Sequence, residues 1–100
     1  MNKLLPLVFL LSSCSFQADH TSFVEQCLKG VYEQFPRSEP GTLEIMTRKE
    51  LNSRVEDADG ELRLIIPLIA SARPPSMNCK ESSGVVSINT PGFSGWDVVQ

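Results

Sequence analysis

The hydrophobic pattern predicts one amphipathic helix in the first third of the chain. Ser22 and Glu25 form a capping-box pattern at its start, and Pro36 blocks its continuation. Between them, apolar side chains recur three or four positions apart, which places them on one helical face: Val24, Cys27, Leu28, Val31 and Phe35. We therefore expect a helix over residues 22–35.

Alternating apolar and polar positions predict strands in the rest of the chain. The clearest alternation runs over residues 61–70, where apolar side chains fall on one side: Leu62, Leu64, Ile66 and Leu68. Pro67 lacks an amide donor, so we expect the second half of this strand to lie at a sheet edge or beside a bulge. A weaker alternation predicts a strand from Leu43 to Arg48. Residues 77–80 and 85–90 are expected to form a hairpin around residues 81–84.

The segment from Thr47 to Asp57 fits two structures. Thr47 and Glu50 form a second capping box, which favours a short helix. Glu56 and Asp57 would oppose the dipole at that helix's carboxyl end, and residues 57–60 form a hairpin-like turn. We favour a continued strand over residues 48–56, and the helix stays open as the alternative.

These elements define an α+β class, with one N-terminal helix packed on a small antiparallel β-meander. Gly30 costs the helix about 1 kcal/mol relative to alanine. Its place inside the helix suggests the close approach of a strand.

The first thirteen residues are typical of an export signal. Lys3 precedes an apolar run, residues 4–11, and two small residues follow it. Eight residues in a helix span about 12 Å, whereas a bilayer core is about 30 Å thick. We therefore interpret residues 1–13 as a signal peptide and not as a transmembrane span.

The end of this segment, Leu11-Ser12-Ser13-Cys14, resembles the lipobox of bacterial lipoproteins. The resemblance implies that a diacylglycerol is joined to the Cys14 thiol, that the signal peptide is cut before Cys14, and that the new amino terminus is acylated. Two or three acyl chains, palmitate among them, would hold the protein on a membrane almost permanently. An ordinary secretory signal that happens to contain a cysteine is the alternative.

The address follows from the same resemblance. In bacteria with two membranes, lipoproteins of this kind that stay at the inner membrane usually carry Asp after the lipidated cysteine, and here the residue is Ser15. We therefore expect the outer membrane, facing the periplasm or the cell surface. Residues 14–21 would be the lipidated terminus and a polar tether, and residues 22–100 a single small domain.

Three cysteines are present, and lipidation would use one. The remaining two, Cys27 and Cys79, would stand in an oxidising compartment, where thiols tend to pair. We predict a Cys27–Cys79 disulfide that ties the helix to the sheet. Two separate buried thiols are the alternative. A metal site is poorly supported, because two distant cysteines and one histidine fall short of a four-ligand set.

Charge and motifs disfavour several classes of function. Without Lys3 the chain has eight basic and twelve acidic residues, and no basic cluster suited to nucleic acid. The single histidine, His20, lies in the expected tether without a catalytic partner. Gly92-Phe93-Ser94-Gly95 lacks the spacing of a nucleophile elbow. The acidic group of Asp57, Asp59 and Glu61 lacks the ligand spacing of a calcium loop. We therefore expect no catalytic residue, metal or cofactor.

Two large aromatic residues near the chain end permit two interpretations. Phe93 and Trp96 stand among glycines, and they either close one end of a small core or form an interaction surface. We favour the core, because the domain has few apolar residues, and keep the surface as the alternative.

The sequence therefore predicts a non-enzymatic lipoprotein of the cell envelope that binds another envelope protein or component. An exclusion or inhibitor lipoprotein, which blocks an envelope enzyme or receptor, is one alternative. A periplasmic or cell-wall hydrolase is another, and it would need a cleft assembled from scattered acidic residues.

Overall fold

The fold is known from a computed structural model that describes residues 19–100. The expected signal peptide, the lipidation site Cys14 and most of the expected tether lie outside the described residues.

The described chain forms two helices and one antiparallel sheet. Helix α1 spans Thr21–Gln34 and helix α2 spans Arg48–Ser53. The strands are β1 (Glu56–Ala58), β2 (Glu61–Pro67), β3 (Ser76–Ser82), β4 (Val85–Asn89) and β5 (Asp97–Val98). They lie in the order β1-β2-β3-β4-β5, which is a meander. The predicted α+β class, with one main helix on an antiparallel meander, is confirmed.

Helix α1 has the predicted extent within one residue, but it begins differently. His20 is the N-cap residue and its side chain makes no capping bond. The Asp19 carboxylate instead accepts hydrogen bonds from the amide and the hydroxyl of Thr21, at 2.9 and 2.5 Å. The expected capping box of Ser22 and Glu25 is therefore wrong, because the helix has already begun when the chain reaches Ser22. The last residue of the expected tether, Thr21, belongs to the helix.

The strand that we favoured over residues 48–56 is wrong in its first part, which is helix α2. The Thr47 hydroxyl accepts from the Glu50 amide at 3.1 Å, and the Glu50 carboxylate accepts from the Thr47 amide at 2.8 Å. Leu51 is fully buried, and α2 packs against α1. The capping box and the burial of Leu51 favour the helix. The acidic residues Glu56 and Asp57, which were expected to oppose its dipole, lie beyond its end, in β1.

The strand predicted from Leu43 to Arg48 is also wrong. Only one antiparallel bridge forms there, between Glu44 and Leu68, and Ile45 is 61% exposed. Helix α2, capped by Thr47, ends the extended segment, and at the start of that segment the Tyr32 hydroxyl accepts the Leu43 amide at 2.9 Å. A side chain thus takes the donor that a sheet partner would otherwise have used.

Both predicted hairpins form, but each turn has two residues where four were predicted, because residues 57–58 and 81–82 belong to strands. Asp59 and Gly60 link β1 to β2, and Ser83 and Gly84 link β3 to β4. All four have positive φ, between 54° and 80°. This is the backbone of a two-residue type I′ turn, in which glycine at the second position removes the steric cost.

Pro67 occupies the edge position that the sequence predicts. Strand β1 pairs with β2 only from Glu61 to Arg63, so Pro67 lies beyond it. The Pro67 carbonyl accepts the Ile45 amide at 3.4 Å, but proline has no amide hydrogen to donate back to the Ile45 carbonyl. Pairing on that side is therefore limited to a single bridge.

The core lies between α1 and one face of the sheet. Its centre is the disulfide between Cys27 in α1 and Cys79 in β3, whose Cα atoms are 5.8 Å apart, so the predicted pairing is confirmed. The close approach expected at Gly30 is also present. A Cβ atom built there would lie 2.5 Å from a methyl carbon of Val99 and 3.0 Å from one of Ile88.

Candidate functional site: the outer face of the sheet

The face of the sheet that points away from α1 is not covered by a helix in residues 19–100. Core side chains on β2, β3 and β4 alternate with residues that point to the other side, which we call the outer face. The strand register places one residue from each strand in a row across it: Glu56, Arg63, Lys80, Ser87 and Val98.

Exposed hydrophobic side chains cluster on or beside this face. Ile65, Val85 and Val98 point outward from β2, β4 and β5, with exposures of 64%, 47% and 53%. Phe93 and Trp96 come from the loop over residues 90–96. Among residues 19–100, Ile45 is the only other large hydrophobic side chain that is exposed. Clustered apolar exposure of this kind marks interaction sites more often than scattered single residues do.

Two side-chain amides, one half-buried and one buried, position the loop over residues 90–96. The Asn78 side chain donates to the Asn89 side-chain oxygen at 3.1 Å. Asn89 is 6% exposed and donates to the carbonyls of Phe93 and Gly95, at 2.8 and 2.5 Å. Sequence reasoning missed both asparagines, since only the strand register shows that they stand opposite each other.

This arrangement settles the position of the two aromatic residues. Phe93 is 72% exposed and Trp96 is 39% exposed, so neither closes the core, and the core interpretation is wrong. The ammonium group of Lys80 lies 4.2 Å from the centroid of the Trp96 ring. Such a cation–π contact is attractive and holds the ring beside the ammonium group. The Trp96 side chain, which precedes β5, therefore reaches over the outer face to a residue of β3.

A cleft of about 790 Å³ lies on the outer face between Trp96 and the segment that joins α2 to β1. We call it the cationic cleft, because three cations line it: Arg54, Arg63 and Lys80. Two carboxylates, Glu56 and Glu61, also line it, and Ile65 and Asn78 contribute to its floor.

The charges in the cationic cleft are unevenly paired. Glu61 contacts Arg63 at 2.6 Å, from its carboxylate to Nε. Arg63 and Lys80 are cross-strand partners, an arrangement that is destabilising for like charges. Among residues 19–100, no carboxylate lies within ion-pair distance of Lys80 or Arg54. The cleft therefore offers cationic donors beside an aromatic ring and an aliphatic side chain.

A second polar cluster joins α1, α2 and the connection between them. The Tyr32 hydroxyl accepts the amides of Gly41 and Leu43 and donates to the Glu44 carboxylate. Arg48 contacts Glu44 at 3.5 Å and Glu25 at 2.5 Å, and its hydrogen bond to Glu25 raises the guanidinium pKa. The Tyr32 hydroxyl, the Glu44 carboxylate and the Arg48 guanidinium each have a partner within the cluster, so we interpret the cluster as structural.

The remaining candidate residues do not come together. The amide of His20 donates to the Asn52 side chain at 2.7 Å, and Ser94 lies in the exposed loop. Asp57 and Asp59 are exposed in and beside the β1–β2 turn. Within residues 19–100, no group of three or more His, Cys, Asp or Glu residues is arranged to hold a metal ion. Neither helix in this range has the length and hydrophobicity that a bilayer-spanning segment needs.

Comparisons of the chain with protein-family models, with curated proteins and with solved structures gave no match. Residues 19–100 are described by their architecture, as a disulfide-tied α+β domain with one sheet face that no helix of this range covers.

Proposed function

We propose that this chain is a lipid-anchored lipoprotein of the bacterial cell envelope. On this proposal Cys14 carries the acyl chains, and the protein acts without catalysis by binding another envelope protein or component. The observation that carries the binding role is that five of the six large exposed hydrophobic side chains of residues 19–100 lie on or beside the outer face, and that two of them, Ile65 and Trp96, line the cationic cleft.

Two further observations support the proposed location in the cell envelope. The segment Leu11-Ser12-Ser13-Cys14 resembles a lipobox. The Cys27–Cys79 disulfide is a feature typical of proteins in oxidising compartments. Anchoring would confine the domain to a thin layer and raise its effective concentration, so that a modest interface suffices.

The anchor is tested by metabolic labelling with palmitate, followed by fractionation of the envelope. We expect the full chain to take up label and Cys14→Ser to take up none. Ser13→Ala is the matched control, because it changes the neighbouring residue but keeps a small side chain before Cys14 and leaves all three cysteines in place, so it should still be labelled. An unlabelled natural chain would overturn the proposed anchor.

The binding role is tested by chemical crosslinking in intact envelopes with Trp96→Ala. Aromatic anchors at interfaces often contribute 2 kcal/mol or more, so we expect recovery of the partner to fall by about tenfold or more. Glu33→Ala is the control, because Glu33 is exposed on α1, on the opposite side of the sheet from the outer face. Equal losses in both variants, or a loss explained by a lower melting temperature of Trp96→Ala, would contradict the proposal.

A further inference from the structure

We infer that the occupant of the outer face is a second, different protein whose contact surface places an acidic side chain in the cationic cleft. Apolar side chains of that partner would surround the acidic one. This inference rests on the proposed function and specifies the chemistry of the partner.

The acidic side chain follows from the uneven pairing of charges. Arg63 faces Lys80 across β2 and β3 and faces Glu56 across β1 and β2. Glu61 contacts only Nε of Arg63, and within residues 19–100 Glu56 is not within ion-pair distance of either cation. The terminal guanidinium nitrogens and the Lys80 ammonium can therefore donate to one incoming carboxylate. Such a carboxylate would relieve the repulsion between the two cations and form charge-assisted hydrogen bonds.

The surrounding surface favours a protein over a sugar. Ile65, Val85 and Val98 offer only aliphatic groups, which would remove water from the hydroxyls of a glycan without replacing their hydrogen bonds. Aliphatic and aromatic side chains of a protein would bury the same area favourably. The face also has the form of one layer of a sheet-on-sheet or helix-on-sheet packing.

The size of the face indicates a weak contact. Five strands about 4.8 Å apart, with a longest strand of seven residues, give a face of roughly 20 by 23 Å. This is below the roughly 800 Å² per partner of a stable standard interface. A transient partner held in the same membrane layer fits this area.

A second copy of the chain fits poorly. A two-fold interface uses the same patch on both copies. Lys80 lies in the central strand β3, so that packing would place the central cations of one copy against those of the other. Like charges that face each other across an interface oppose association.

The inference is tested in cells with the full chain, with p-benzoylphenylalanine introduced at one position for photocrosslinking. Position 65 lies on the outer face and lines the cationic cleft, and position 33 is an exposed site on α1 that serves as the control. We expect an adduct from position 65 and little from position 33. The adduct should be a heterologous protein whose crosslinked peptide, mapped by mass spectrometry, includes Asp or Glu.

The charge requirement is tested in the position-65 background. We expect Lys80→Glu to lower the adduct yield by about tenfold or more and Lys80→Arg to leave it nearly unchanged. Lys49→Glu is the matched charge reversal, because Lys49 lies in α2 and is exposed away from the cleft. Far-ultraviolet circular dichroism of each purified variant shows whether the fold is kept. If Lys80→Glu fails to fold, Arg63→Glu replaces it.

Each other outcome overturns the inference. An adduct of twice the chain mass would mean a second copy, and equal adducts from positions 65 and 33 would mean that the outer face is not the contact surface. An adduct yield that does not change in Lys80→Glu would show that binding does not depend on an acidic side chain of the partner. If the chain binds acidic glycans on an array and gives no protein adduct, the ligand of the outer face is a sugar and not a protein. The first three of these outcomes overturn the inference but remain compatible with the proposed function, a lipoprotein that binds a protein. A lack of palmitate labelling would argue separately against the proposed lipid anchor.

Discussion

The Cys27–Cys79 disulfide should supply a large part of the stability of this domain. The perturbation is the double variant Cys27→Ala/Cys79→Ala, made in a Cys14→Ser background so that no other thiol remains. Both side chains are almost fully buried between α1 and β3, so their replacement by alanine keeps the site apolar. What the variant chiefly removes is the covalent link.

The magnitude follows from the length of the closed loop. The two cysteines are 52 positions apart. The chain-entropy relation for a loop of that length gives about 4 kcal/mol at 25 °C. Small domains have total unfolding free energies near the lower end of about 5–15 kcal/mol. We therefore expect the variant to be marginally folded or unfolded at 37 °C.

The assay is urea unfolding followed by tryptophan fluorescence, because the chain contains a single tryptophan. With a slope of about 1.5 kcal/mol per molar urea, a loss of about 4 kcal/mol lowers the midpoint by about 2.7 M. The same background chain with its disulfide reduced by dithiothreitol is the control, and it should unfold close to the double variant. A midpoint that falls by less than about 0.5 M at an unchanged slope would refute the entropic argument.

Three other substitutions test particular contacts. Tyr32→Phe should lower the free energy of unfolding by about 1–3 kcal/mol, because two backbone amides lose their acceptor; thermal unfolding measures the loss, and an unchanged melting temperature would contradict it. The amide and hydroxyl of Thr47 hold the Glu50 pKa below its ordinary value of 4.5. The stability from this contact is thus fully present above pH 4.5 and is lost as the pH falls through the lowered pKa. Urea unfolding from pH 7 to pH 3 should show a weaker acid loss in Glu50→Gln, and parallel curves would argue against the assignment. Gly30→Ala should destabilise by about 1 kcal/mol, since the crowding against Val99 exceeds the gain in helix propensity; Val99→Ala in a double-mutant cycle should recover part of the loss, and additive effects would refute the contact.

Local rules sufficed for the parts of the fold whose determinants lie close together in sequence. The spacing from Val24 to Phe35 predicts α1, and the polar residue followed by glycine at positions 59–60 and 83–84 predicts both turns. Cys79 could be paired by elimination once Cys14 is assigned to lipidation. In each case a short pattern and the tertiary structure favour the same conformation.

The errors occur where a distant residue decides between local alternatives. Residues 48–53 carry a capping box, yet they also fit an extended strand, and the burial of Leu51 against α1 favours the helix. Near Leu43 one deciding group is the Tyr32 hydroxyl, eleven positions away. Neither contact is visible in a window of the sequence.

The candidate site was only partly predictable for the same reason. Phe93 and Trp96 stand out in the sequence by size, but whether they are buried depends on Asn78 and Asn89, which meet only in the β3–β4 register. The facing pair of Arg63 and Lys80 likewise depends on the β2–β3 register. Charge composition alone, which is net negative, gives no sign of a cationic cleft.

The position of the disulfide on β3 has a consequence for recognition. Cys79 points into the core, while its neighbours Asn78 and Lys80 point to the outer face. The disulfide, which holds β3 from the core side, therefore also restricts the backbone that carries these two side chains. A surface rigid before contact loses less conformational entropy on association. The oxidised protein should thus bind its partner more tightly than the reduced one even under conditions in which both are folded.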